Sequence, residues 1–196
     1  MLLDLIKYFA KYPDKAGVML LFPRGESSTV PGYSDLKAYM ESLPASSVMP
    51  EIKYFVVGAS LDKTEAFINN IVSMDKYLLV DYGEITTNLN QNNVLNDSFA
   101  LAITVARRMS DSTDLAEQAL SMNETLDAIN KIRAHILADQ DNGVLPLGIK
   151  QLISGTHTFI PFDSPRLQSL GWTLTFSLNA TDGMRASDLK LEYRKQ

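Results

Sequence analysis

Two groups of residues in this chain have the types and spacing to do chemistry. The first is Ser154-Gly155-Thr156-His157-Thr158, with Asp163 a short way beyond the histidine. A histidine beside hydroxyls and oriented by a carboxylate is the arrangement of nucleophilic hydrolysis, in which the imidazole takes the hydroxyl proton. The second is Asp81 and Glu84 in Val80-Asp81-Tyr82-Gly83-Glu84. Paired carboxylates can share acid–base work or hold a hard cation. Each group also has a plain reading. Hydroxyls near a lone histidine are common in loops, and no nucleophile elbow surrounds these. Acids beside a glycine fit the end of a strand at a bend. The other histidine, His135, stands next to Arg133 on a long helix, off its apolar stripe, and fits solvent or the helix dipole. The sequence thus carries no catalytic signature, and we assign no catalytic, cofactor-binding or metal-binding residue from it.

Composition narrows the classes further. The absence of cysteine excludes a disulfide scaffold, a thiolate zinc site and a cysteine nucleophile. Two histidines exclude a histidine-rich metal cluster. There is no P-loop and no glycine-rich dinucleotide fingerprint. A net charge of −5 argues against a free nucleic-acid surface. The basic residues Arg107, Arg108, Arg185, Lys190, Arg194 and Lys195 are not interleaved with stacking aromatics. No run approaches the roughly 18 apolar residues of a membrane span. Asp4 and Lys7 interrupt the opening apolar run, which is not read as a signal peptide. The chain is expected in the cytoplasm.

The element that must position everything else is the stretch from Asp111 to Gly143. Leu115, Ala119, Met122, Leu126, Ile129, Ile132 and Ile136 recur in steps of three and four, which predicts one apolar helical face. Asp111, Ser112, Thr113 and Asp114 suit its start, and Asn142-Gly143 its stop. Ahead of it, Leu2 to Tyr12 reads as a short amphipathic helix ended by Pro13. Gly17 to Phe22 reads as a buried strand, closed by Pro23. Tyr33 to Leu43 reads as a helix capped by Ser34, Ile52 to Gly58 as a strand, and Ser60 to Met74 as a helix. Lys76 to Ile85 is expected to be a strand, Thr86 to Asp97 an exposed asparagine-rich loop, and Ser98 to Arg108 a second strand. The small residues Ala100, Ala102, Thr104 and Ala106 are expected to face the long helix. After that helix, Ser154 to Pro161 reads as extended and Pro161 to Pro165 as a turn. Trp172, Leu174, Phe176 and Leu178 then alternate with polar residues, the signature of a half-buried strand. Residues 1–180 are expected to form one α+β domain, with a mostly antiparallel sheet packed on the long helix, and 181–196 a charged tail or arm.

The order of these elements resembles the tail-completion, or tail-terminator, proteins of long-tailed phages, in particular those of Bacteroidetes phages and prophages. The residues that carry the resemblance are the opening LLDLIKYFAKYP and the strands KYLLVDYGEI and SFALAITVARRM. They continue with the long helix DLAEQALSMNETLDAINKIRAHIL, the crossover HTFIPFDSP and the closing GWTLTFSLNA. The resemblance implies a structural virion protein with no reaction and no cofactor. Such a protein forms a ring with copies of itself, usually a hexamer, and its partners are tail-tube or head–tail connector proteins. The alternative is a non-enzymatic protein-binding module of a mobile element, with a groove beside the long helix. Terminal segments 1–12 and 181–196 and the loop 86–97 are the expected contacts.

Overall fold

The computed structural model describes residues 2–23, 28–58, 61–71, 73–89, 95–111, 113–146, 151–153 and 157–181. Its elements run α1 (Leu2–Phe9), α2 (Lys15–Met19), α3 (Tyr33–Ser42), β1 (Ile52–Gly58), α4 (Leu61–Ile71), β2 (Lys76–Leu89), β3 (Leu95–Arg108), α5 (Leu115–Asp141), β4 (Thr158–Ser164), a 3-10 turn (Pro165–Leu167) and β5 (Ser169–Thr181). The sheet has the order β1-β2-β3-β5-β4. β1 runs parallel to β2, and every other neighbouring pair is antiparallel. This is the expected α+β architecture, a mixed sheet with one long helix and shorter ones.

α5 starts where its side chains direct it. The Asp114 carboxylate accepts from the Ala116 and Glu117 amides, and Gly143, at φ 67°, turns the chain away after the C-cap residue Asn142. Its lower half buries Ile129, Ile132 and Ile136 as expected, and Ala128 beside them. Its upper half does not follow the expected stripe. Leu115 is 76 % exposed, Ala119 is exposed, and Ser121 and Thr125 are buried instead. A strict seven-residue repeat drifts by about 20° per heptad on a straight helix, so Leu115 stands roughly 60° away from Ile136. The Thr125 hydroxyl satisfies itself by donating to the Ser121 carbonyl at 2.7 Å.

The helix lies on the large-residue face of the sheet. Phe99, Leu101, Ile103 and Val105 of β3 share a core with Leu78, Val80, Leu174 and the α5 isoleucines. The expectation that the small face meets α5 is therefore corrected. Burying the large side chains removes more apolar area from water, at roughly 25 cal/mol per Å². Ala106 lies in a second cluster on the opposite face, with Val56, Ile68, Tyr77, Leu79 and Leu167. On that face the Thr104 and Thr173 hydroxyls bond across the strands at 2.7 Å. Trp172 ties β5 to α5 by donating its indole N–H to the Met122 carbonyl at 3.0 Å.

Gly17 to Phe22 is not a strand. Its first half forms α2, capped by the Asp14 carboxylate on the Ala16 amide. A short apolar run bounded by turn residues does not distinguish a strand from a buried helix. α2 packs against β1, and Gly17 rests on the Lys53 carbonyl. α3 begins one residue before Ser34, with Gly32 at φ 80° as its cap. The Thr86–Asp97 loop is mostly strand, because β2 extends to Leu89 and β3 starts at Leu95. Threonine, leucine and asparagine pair there through backbone groups, so polarity alone misreads the segment. Pro161 belongs to β4, an edge strand in which a missing N–H can face outward. The turn follows at Pro165 to Gln168. Of the expected helix Ser60 to Met74, α4 covers Leu61–Ile71, while Ser60 and the tail beyond Thr181 lie outside the described residues.

β1 accompanies β2 only from Lys76 to Asp81, and β4 accompanies β5 only from Ser169 to Thr175. Beyond these limits β2, β3 and β5 continue three abreast as an arm, ending at the pairs Leu89↔Leu95 and Asn96↔Thr181. A β-bulge marks its root, where Gly83 and Glu84 together oppose Ala100. Tyr77 to Val80 are buried, whereas residues 83–87 are all exposed.

Candidate functional site

The structure separates the members of the first chemical group. The Arg133 Nε–H donates to His157 Nε2 at 2.7 Å. That nitrogen's lone pair is therefore occupied, and the ring proton sits on Nδ1. The imidazole edge meets the Phe159 ring at 6.0 Å between centroids. Asp163 lies at the far end of β4, opposite Leu170. Six residues of strand span about 20 Å, so Asp163 does not orient His157. Ser154 and Thr156 lie outside the described residues. A general base needs a free lone pair within reach of a proton, and here a guanidinium holds it.

The second group is also not drawn into a site. Asp81 sits half-buried in β2 opposite Ala102, and burial raises its carboxyl above the usual range. Glu84 is exposed in the bulge. Among the described residues no cluster of three histidine, aspartate or glutamate side chains could hold a metal ion. None of the described helices is long and apolar enough to cross a membrane.

The most developed polar cluster joins α1 to the end of α5. The Tyr8 hydroxyl donates to Asp139 Oδ2 at 2.6 Å and lies 3.2 Å from the Tyr12 hydroxyl. Lys11 forms an ion pair with the same carboxylate, and its ammonium lies 4.0 Å from the centre of the Tyr8 ring. The Tyr12 ring meets His135 edge-on. Burial above all, with the neighbouring carboxylate, pushes the Tyr8 and Tyr12 hydroxyls well above the ordinary phenol range. For Asp139, burial works upward, but the Lys11 and Tyr8 hydrogen bonds outweigh it and hold the carboxyl below the usual range. One signal for this cluster was present in the sequence. An acid in the last turn of a helix opposes the macrodipole and calls for a cationic partner. These groups are engaged with one another, and the cluster forms a clasp that ties α1 and the turn after it to the end of α5.

The clasp predicts an acid-sensitive term. Because the folded carboxyl titrates below its unfolded value of about 3.9, its contribution is complete above that value and is lost as pH falls through the folded one. Unfolding free energy from urea melts should be level in this term above about pH 5 and decline below about pH 4. Asp139→Asn should flatten that decline. Asp139→Ala should also cost about 1–3 kcal/mol at neutral pH by stranding the Tyr8 hydroxyl. An unchanged acid limb in Asp139→Asn would show that the clasp is not its source.

Two further surfaces stand out. A cleft of about 330 Å³ opens beside the start of α5, lined by Met109, Gln118, Asp163, Gln168 and Leu170 among others. The first turns of α5 present Leu115 and Leu120 to solvent, the latter 66 % exposed. Neither surface carries a constellation of reactive groups. The arm of β2, β3 and β5 joins the core at its root through Tyr82, Phe99, Leu101 and Phe176, whereas residues 83–87 of β2 are exposed.

No family model, curated protein or solved structure matches this chain. Function is therefore argued from geometry and from the order of elements.

Proposed function

We propose that this chain is a non-enzymatic structural subunit that assembles with copies of itself into a ring. The ring would cap the tail tube of a phage or prophage, or join the tube to the head. The observation that carries this reading is the three-stranded arm, which runs on past the limits of β1 and β4. Strands of this length with open edges are a liability for a solitary soluble protein. They are an asset where edges meet between copies. The order of short helix, strands, long helix and final strand, which resembles tail-completion proteins, supports the same reading. So does the state of the two candidate reaction groups, one held by Arg133 and the other dispersed along β2.

Negative-stain imaging of the concentrated protein tests it. Closed rings with a central hole are expected, and added rings should halt the polymerisation of the cognate tube protein. Particles that never close and leave tube growth untouched would overturn the assignment. The cleft beside α5 favours one second reading, a protein-binding module. That reading predicts a particle of single-chain mass that captures a partner at the cleft, and substitutions on the arm would leave capture intact.

A further inference from the structure

The open edges of the arm differ from the two edges of the body. At the body, α2 packs on β1, with Gly17 against the Lys53 carbonyl. β4 is short and carries Pro161. Covering helices, short strands and prolines are the usual protections of a sheet edge. Among the described residues the arm shows no proline and no flanking strand. Residues 82–89 of β2 and 176–181 of β5 contain no proline, and Glu84 is their only charged residue. They are rich in threonine, asparagine, leucine and isoleucine. Among the described residues no strand lies beside either edge.

We propose that the outer edge of β5 at residues 176–181 pairs with the outer edge of β2 at residues 82–89 of the next copy. The arms then join into one continuous sheet around the ring. This rests on the self-assembly reading above and specifies its contact. The direction of the new pair follows from the topology. β2 is antiparallel to β3, and β3 is antiparallel to β5, so β2 and β5 of one chain run parallel. A rotation axis along the strands preserves strand direction, so the pair between copies is parallel. The two edges differ, which makes the contact heterologous. Every added copy leaves one edge of each kind open until the ring closes. A two-fold contact of β5 with β5 would be antiparallel and would stop at a dimer. Bulges raise the local twist of a sheet, and the one at Gly83–Glu84 falls at the root of the arm.

Cysteine cross-linking tests the pairing, because the chain has no cysteine of its own. Asn88→Cys and Asn179→Cys are prepared separately, mixed and oxidised. Thr86→Cys with Asn179→Cys covers the neighbouring register, in which the two positions stand level through Ser98. In at least one mixture, cross-linked dimer should exceed that from either variant alone by about tenfold, since disulfides form only between closely placed Cβ atoms. The corresponding double variant should give a ladder that ends at the closed ring. If light scattering shows an oligomer but neither mixture cross-links above its single variants, the edge pairing is wrong and self-assembly stands. Efficient cross-linking of Asn179→Cys with itself would indicate the two-fold contact and overturn the proposal. A protein of single-chain mass at every concentration would overturn both, and mass alone identifies that case.

Discussion

Gly171→Ala should prevent stable folding or lower the thermal midpoint by about 10 °C. Gly171 lies near the start of β5, opposite Ala106 of β3 on one side and Phe162 of β4 on the other. A Cβ there would stand 2.1 Å from the Val105 carbonyl oxygen and 2.6 Å from the Ala106 Cα. Both are backbone atoms of a central strand, so no rotamer change relieves the overlap. The strands would have to separate where the ladder is continuous. Overpacking of this kind costs about 3 kcal/mol or more, and each kcal/mol moves the midpoint by about 2–4 °C in a chain of this size. Gly83→Ala is the control. Its added Cβ would meet Ala100 Cβ at 3.4 Å, ordinary contact, and the midpoint should change little. Differential scanning calorimetry of both variants decides the matter. A Gly171→Ala midpoint within a few degrees of wild type would show that β3 and β5 are not this close.

Gly17→Ala should cost about 2–3 kcal/mol and act more locally. The added Cβ would stand 1.8 Å from the Lys53 carbonyl oxygen at the start of β1. α2 is also held to α3, where the Lys15 ammonium donates to the Glu41 and Leu43 carbonyls. Val18 and Phe22 are buried in the shared core, and the Asp14 amide donates to the Ile52 carbonyl at 2.8 Å. Displacing the helix would expose these side chains and open the outer edge of β1, giving the sheet a sticky edge that it otherwise covers. The expected result is lost protection of the α2 and β1 amides in hydrogen exchange, together with concentration-dependent aggregation. Protection in β3 and β5 should change less. A variant with native exchange across α2 would mean that this helix does not rest on β1.

Much of the body was legible in the sequence. β5 carried its alternation plainly, and the lower half of α5 carried its isoleucines at helical spacing. Asp114 and Asn142-Gly143 bounded that helix where the structure bounds it. The failures have physical causes. The heptad drift placed Leu115 and Ala119 on the wrong face, and a hydroxyl satisfied within its own helix let Thr125 take a core position. Gly17-Val18-Met19 is too short for periodicity to act on. Residues 86–89 and 95–97 are polar apart from Leu89 and Leu95, yet their backbones pair, because strand pairing does not require apolar side chains. The clasp around Asp139 joins residues more than 120 positions apart, and only an acid at the wrong end of a helix hinted at it. The candidate triad illustrates the converse. His157 and Asp163 are close in sequence, but an extended strand carries them apart, and Arg133 reaches the imidazole from α5.

The central claim is self-assembly into a closed ring, and absolute mass by light scattering across a concentration series tests it most directly. The account predicts one predominant species at an integer multiple of the 21.8 kDa chain mass, unchanged at the highest concentrations because a closed ring leaves no edge to extend. A mass of 21.8 kDa at every concentration, or growth without limit, would contradict it.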